Sequence, residues 1–357
     1  MRVLYFGTYE RDYPRNAQVI SCLRGAGVEV VERHVGVWEG RRHNWSAGAG
    51  AAARLARAEA RLLLGRRREP FDAVVVGYPG HLDLPAARRA ADGRPVVFNP
   101  LVSLSETLGG DRGRFRPRSL PARVLRRIDR LALRAADLVV ADTAANAQYL
   151  GDLARLPREK LAVCFVGAED RLFRPTWRLP DRFRVLFVGK LIPLHGLETI
   201  LAAARLAPEL SFRLVGSGQL EPLLRDRPPN VEWVEWVEYE RLPRELERAG
   251  CALGVFGTSA KARRVIPNKA FQALACGTPL VTADTPAARE LLEDGASALL
   301  VPPGDAPSLA AALRRLAGDP QFAQEIGAGG RSAYAGNASE RVLGGRWLDL
   351  LERLAAA

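Results

Sequence analysis

In the first half of the chain, short apolar runs fall at about Arg2 to Phe6, Ala73 to Gly77, Val96 to Asn99 and Leu138 to Ala141. Longer stretches with helical spacing separate them, at about Ala17 to Gly25, Ala47 to Leu64 and Leu120 to Ala136. Four or five consecutive apolar residues without polar alternation fit a strand buried on both faces, the condition of a parallel sheet covered by helices. The alternation predicts an α/β fold built on a doubly wound parallel sheet. A connection from Phe173 to Asp181, punctuated by Pro175 and Pro180, interrupts the pattern. It restarts with runs at Val185 to Val188, Ser211 to Val215, Val231 to Val234, Ala252 to Val255, Leu280 to Ala283 and Ala298 to Val301. Two such domains, residues 1–173 and 174–340, are expected, followed by an amphipathic stretch from Arg341 to Leu354 within residues 341–357.

Composition narrows the class. The apolar run after Met1 is far too short for a signal peptide, and no stretch reaches the roughly 18 to 20 apolar residues of a membrane-spanning helix. The expected location is the cytoplasm, with a peripheral position on the inner face of the membrane as an extension of that reading. Cys22, Cys164, Cys251 and Cys276 form no C-x-x-C pair and read as free, buried thiols. His34, His43, His81 and His195 lack metal-ligand spacing, and no D-x-D pair occurs, so no metal site is expected.

Charge is uneven. Residues 1–173 hold 29 basic against 19 acidic residues, a net of +10, whereas residues 174–357 hold 23 against 21. Two concentrations stand out: Arg41, Arg42, Arg54, Arg57, Arg61, Arg66, Arg67 and Arg68, then Arg112, Arg114, Arg116, Arg118, Arg123, Arg126, Arg127, Arg130 and Arg134. A solvated surface explains such runs, and so does attraction to an anionic membrane or a lipid-phosphate acceptor. Nucleic acid is disfavoured, because the runs lack interleaved aromatics. Among 52 basic residues only Lys160, Lys190, Lys261 and Lys269 are lysines. A compact ammonium suits a crowded phosphate, whereas the alternative for Lys261 is a solvated loop side chain.

Lys269 carries the most information. Pro267 ends the preceding segment, and Asn268 is expected to N-cap an apolar helix through Phe271, Leu274 and Ala275 that Gly277 stops. A lysine in the first turn opposes the helix dipole by a few tenths to about 1 kcal/mol unless an anion is bound there. A helix N-terminus with a lysine suits phosphate. The run Leu280 to Ala283 then gives the helix-to-strand step of an α/β domain.

The segment from Arg264 to Glu290 resembles the donor-sugar motif of the retaining family 4 glycosyltransferases, also called glycosyl transferases group 1, which have the GT-B fold. Other pieces are similar to the family's in the same order. They are the strand, basic loop and helix from Val185 to Ile200, the glycine loop Leu214 to Gly218, and the domain junction formed by Ala141 to Thr143 with Val166 to Pro175. The likeness is strong over the last two-thirds and weak over the first third. It implies two Rossmann-like domains facing a central cleft, the first binding an acceptor and the second a nucleotide sugar, with the last helix crossing back to the first domain. The implied reaction is hexosyl transfer, with retention and without metal, from a nucleotide-diphosphate sugar to a hydroxyl of a glycan, lipid-linked or small-molecule acceptor. No cofactor beyond that donor is implied.

The family's arginine after the first strand of the second domain, and its lysine five residues on, fall on Lys190 and His195. Its paired glutamates fall on Arg264 and Gln272, and neither is glutamate. Lys190 and Lys269, assigned as catalytic, would stabilise the departing diphosphate with Arg264 and the helix end at Asn268. His195 would donate a hydrogen bond to phosphate, or else hold its own loop. Backbone groups around Val265, Ile266, Pro267 and Asn268 would meet sugar hydroxyls, and the Gln272 amide the ribose. Gly189, Gly216 and Gly218 would let the nucleotide approach the backbone, or simply make tight turns. Acceptor-side candidates are Gly7, Thr8 and Arg15 in the first loop, with His81, Asn99, Ser103 and Glu106. Two other readings stand. One is another GT-B enzyme such as a sugar-nucleotide epimerase, with Glu106 and Asp83 as its carboxylates. The other is a non-catalytic binding subunit, suggested by the missing glutamates.

Overall fold

A computed structural model of the chain describes residues 1–356 apart from 12, 38–48, 66–69, 112–114 and 117–118. Arg41, Arg42, Arg66, Arg67, Arg68, Arg112, Arg114 and Arg118 of the basic runs therefore lie outside the described residues. Contacts divide the chain into two units, Met1–Val166 with Leu343–Ala357, and Gly167–Val342. The division after Val166 comes earlier than the expected 173.

The first unit holds β1 (Arg2–Gly7), β2 (Glu29–His34), β3 (Ala73–Val76), β4 (Val96–Phe98), β5 (Leu138–Ala141) and β6 (Leu161–Val163). They form one parallel sheet in the order β2-β1-β3-β4-β5-β6. Every residue of β3 and β5 is buried, as their uninterrupted apolar runs require. The sequence pattern missed the two outer strands. β2 carries Glu29, Glu32, Arg33 and His34, charge that an edge strand tolerates, and β6 is too short to show a period. The helices are α1 (Pro14–Gly25), α2 (Ala49–Leu64), α3 (Leu84–Ala91), the single turn α4 (Leu104–Glu106), α5 (Leu120–Ala135) and α6 (Ala144–Ala154). Proline in the first turn starts α1, α3 and α5, and the Thr143 hydroxyl caps α6 by accepting from Asn146 N at 3.0 Å.

The second unit holds β7 (Arg184–Val188), β8 (Ser211–Val215), β9 (Val231–Val234), β10 (Cys251–Leu253), β11 (Leu280–Ala283) and β12 (Leu299–Val301), again all parallel, in the order β12-β11-β10-β7-β8-β9. Its helices are α7 (Leu197–Leu206), α8 (Leu242–Glu247), α9 (Asn268–Cys276), α10 (Ala306–Gly318) and α11 (Pro320–Asn337). A last helix, α12 (Glu340–Ala356), joins the first unit from Leu343 onward. There Trp347 is fully buried, and a Cβ on Gly344 would lie 2.6 Å from Cys22 O in α1, so only glycine allows that helix contact.

Both sheets reverse their winding once. In the first unit the chain moves from β1 outward to β2, then returns to β3 on the other side of β1; in the second it makes the same return between β7 and β10. Ligand crevices of open α/β sheets lie outside the carboxyl ends of the strands at such reversals.

Candidate functional site

At the carboxyl end of β7, Gly189 to His195 form a loop packed backbone to backbone against its neighbours. Leu191 N donates to Ser217 O at 2.9 Å, and Phe256 N, beyond β10, donates to His195 O at 3.1 Å. Two glycines make this possible. A Cβ on Gly196 (φ 69°) would lie 2.6 Å from the Phe256 carbonyl carbon, and one on Gly216 (φ 143°) would overlap Gly189 O. The space left by Gly216 is filled by the β7 loop, and a Cβ on Gly218 would come 2.9 Å from Leu191 O, so these two glycines serve loop packing rather than an open approach. Gly189 differs, since a Cβ there would stand 2.9 Å from the Lys269 ammonium.

Lys269 is buried, with Nζ 3.7 Å from the centroid of the Phe187 ring and without a hydrogen-bond partner. Burial lowers its pKa well below the usual 10.5. The helix begins one residue earlier than expected. Asn268 is its first residue, Pro267 occupies the cap position, and no side chain caps the first turn. Lys269 thus remains in the first turn, beside backbone N–H groups that no cap satisfies. Lys261, expected as an exposed loop residue or a phosphate ligand, is buried, and Lys190 is exposed.

His195 marks where these cations meet. Burial, then the charges of Lys269, Lys261 and Lys190, drive its pKa well below 6.5, against a backbone hydrogen bond to Lys190. The carbonyl of Lys190 can only accept, so Nδ1 holds the proton and donates it there. A neutral ring with its proton on Nδ1 has none on Nε2, so in the ligand-free chain His195 holds its own loop, the second of the two expected roles. Its evident work is to fix the loop that carries Lys190. Three of the four lysines therefore act on one buried point at the β7 and β10 ends. Arg264 closes a 3-10 turn, Ala262–Arg264, and is half-buried; Val265 to Pro267 lead from it into α9. Gln272 is buried, its Nε2 donating to Tyr239 Oη at 3.5 Å.

In the first unit a cavity of about 120 Å³ opens at the ends of β1 and β3, with Leu55, Tyr78, Pro79, Leu82 and Leu104 as its apolar walls and Thr8, Glu10, His81 and Asp83 as polar lining. Of the expected acceptor residues, Thr8 and His81 reach it. Gly7 backs it, because a Cβ there would overlap Asp83 Oδ2. The others line no part of it. Arg15 is fully buried, donating to Asn99 Oδ1 at 2.8 and 3.0 Å and to Cys164 O and Phe165 O, so it and Asn99 tie α1 to the ends of β4 and β6. Ser103 caps α4 through Glu106 N.

Sequence reasoning missed three carboxyl groups here as a set. Asp83 accepts from Thr8 N at 2.7 Å and Thr8 Oγ1 at 2.9 Å, and is hydrogen-bonded to Glu59, whose pKa burial and Asp83 push up to about 9. Asp129, hidden in an arginine run, accepts from Leu104 N and Ser105 N and stands 3.5 Å from His81 Nε2. Burial lowers the pKa of His81, against the Asp129 charge. Among the described residues no group of three or more His, Cys, Asp or Glu could hold a metal ion.

The Glu59 shift has a stability consequence. The folded chain keeps this proton to about pH 9, whereas unfolding releases it near 4.5, so the stability it contributes is full below 4.5 and lost as pH rises towards 9. Glu59→Gln keeps a donor for Asp83 without that titration. Its melting temperature is expected to fall less than the parent's as pH is raised towards 9, and equal slopes would count against the shared proton.

Two family models match in chain order: "Glycosyl transferase 4-like domain" over residues 2–167 and "Glycosyl transferases group 1" over residues 182–319. An amylovoran biosynthesis glycosyltransferase of Erwinia amylovora is 28% identical over 212 residues, covering 56% of this chain and 52% of that protein. A D-inositol 3-phosphate glycosyltransferase of Thermobispora bispora is 28% identical over 251 residues, covering 61% and 57%. The chain thus spans about half the length of the curated relatives it matches. In structure, sucrose-phosphate synthase from Thermosynechococcus elongatus superposes with a TM-score of 0.77 at 17% identity, over 99% of both chains. The Anabaena protein HepE, solved with UDP-glucose, does so at 0.71 and 16%, over 99% of this chain and 100% of that one. Both are GT-B structures, and the two six-stranded parallel sheets described above match them. These relatives carry transferase names, and the epimerase reading gains nothing from them.

Proposed function

Because the chain belongs to the group 1 glycosyltransferases of the GT-B superfamily, we propose that it transfers a sugar, with retention, from a nucleotide-diphosphate donor to an acceptor hydroxyl. The observation that carries this is Lys269, buried without a hydrogen-bond partner in an uncapped helix first turn, where its charge acts on His195 together with those of Lys261 and Lys190. Burying such a group costs stability unless an anion compensates it. A diphosphate supplies that anion. It would accept hydrogen bonds from the first turn of α9, balance the charge of Lys269, and meet Lys190 and Arg264. The same contacts strengthen as negative charge builds on the departing diphosphate, which is the form of catalysis this site supports. Cations would do here the work a metal does elsewhere.

The acceptor would sit in the first unit's cavity. Its walls are mostly apolar, with Thr8, His81 and Asp83 at the strand ends, which supports an acceptor with an apolar portion and a hydroxyl rather than one polar over its whole surface. Incubation with a panel of nucleotide sugars, with and without a chelator, tests the reading. The expected result is nucleoside diphosphate release that survives chelation, and a transferred or hydrolysed sugar whose anomeric configuration by NMR is that of the donor. Activity lost on chelation and restored by magnesium or manganese would contradict the cation site. Nucleotide binding without any release would favour the binding-subunit reading.

A further inference from the structure

Helix α5 presents an outer face that neither the sheet nor the sites above use. Its inner face buries Ala122, Asp129, Ala132 and Leu133. Outside, Leu120, Val124 and Leu131 are 73%, 50% and 58% exposed, three of the ten large exposed apolar side chains among the described residues. Positions 120, 124, 127 and 131 follow helical spacing, so the three form one stripe with Arg127 inside it. Arg123, Arg126, Arg130 and Arg134 flank the stripe. Arg130 and Arg134 each use one Nε to hold the end of α6, through Leu153 O and Ala154 O. Arg123, Arg126 and Arg127 take part in no ion pair among the described residues. The single acid of the helix, Asp129, is fully buried and turned to Leu104 and Ser105.

A helix made basic only for solubility has no cause to expose two leucines and a valine along one stripe. A nucleic-acid face would offer aromatic or polar groups between the arginines, and this one offers leucine and valine. A stripe of aliphatic side chains edged by cations of one sign, with the only acid withdrawn, is complementary to an anionic lipid surface, where headgroups meet the guanidinium groups and the aliphatic stripe enters the interface. We propose that the outer face of α5 docks this chain on anionic membrane lipid, with Leu120, Val124 and Leu131 as the inserted stripe. This stands apart from the donor chemistry, since the assay below involves no nucleotide.

Flotation with vesicles of phosphatidylcholine alone or mixed with phosphatidylglycerol tests it, using the full chain. The parent is expected to float with the anionic vesicles only, less as salt shortens the Debye length from about 10 Å at 0.1 M to about 3 Å at 1 M. Combined Arg123→Gln, Arg126→Gln and Arg127→Gln should weaken binding on the order of 100-fold, at about tenfold or less for each charge removed. Combined Leu120→Ser, Val124→Ser and Leu131→Ser, all at exposed positions, should weaken it by at least tenfold and leave a residue of binding abolished by salt. Absence of parent binding at low salt would overturn the proposal. So would binding that the serine variant retains in full, or equal, serine-insensitive retention on a single-stranded oligonucleotide.

Discussion

Lys269→Met is expected to weaken nucleoside diphosphate binding by about 10- to 100-fold, the range of a charge-assisted hydrogen bond, while leaving the unliganded chain at least as stable as the parent. The two effects share one cause. In the free protein the ammonium is buried over Phe187 without a hydrogen-bond partner, and burial lowers its pKa from 10.5. The unfolded chain then holds a proton that the folded chain gives up. This stability penalty is absent above 10.5, and grows as pH falls from there to the lowered value. Methionine occupies similar volume with no charge, so the penalty disappears together with the attraction for the diphosphate. Thermal melting and calorimetric titration read the two halves separately. Unchanged affinity would remove Lys269 from the site, and a clearly lower melting temperature would show that the lysine has a structural role instead.

Gly216→Ala should be the most damaging single methyl in the second unit, costing about 2 to 4 kcal/mol of stability and weakening nucleotide binding with it. Gly216 has φ 143°, and its Cβ would overlap Gly189 O in the loop that carries Lys190 and His195. Both the backbone strain and the displaced loop act in the same direction. Gly277, after α9, provides the control. Its φ of 81° also favours glycine, but a Cβ there meets nothing within 4 Å, so Gly277→Ala should cost only about 1 kcal/mol and leave binding intact. Equal costs at the two positions would show that strain alone, not loop contact, sets the effect.

The buried strands were legible because a parallel sheet covered on both faces writes itself as unbroken apolar runs. Val3 to Gly7, Ala73–Val76 and Leu138–Ala141 are such runs. Glu29–His34 was not, since an edge strand can expose one side and keep its charges. Lys269 was legible because a cation in a first turn breaks a local rule, and local rules break most often where a ligand restores the balance. The cap was misplaced by one residue, since the extended backbone of Pro267, with φ −73° and ψ 151°, already supplies the cap geometry. His195 kept two readings, phosphate donor or loop anchor, because sequence cannot tell which carbonyl will claim a ring proton. Glu59, Asp83 and Asp129 could not be joined from sequence at all. Asp83 stood out only as an isolated candidate, and Glu59 and Asp129 look like ordinary surface acids until the fold brings the three to the end of β3.

The central claim is that a diphosphate binds against Lys269 and raises again the pKa that burial has lowered. Calorimetric titration of the parent with a panel of nucleoside diphosphates, in two buffers of different ionisation enthalpy at one alkaline pH below 10.5, tests this directly. Proton uptake on binding, growing as pH rises above the lowered pKa and absent in Lys269→Met, is the predicted result. Binding with no proton exchanged, or no binding by any nucleoside diphosphate, would contradict it.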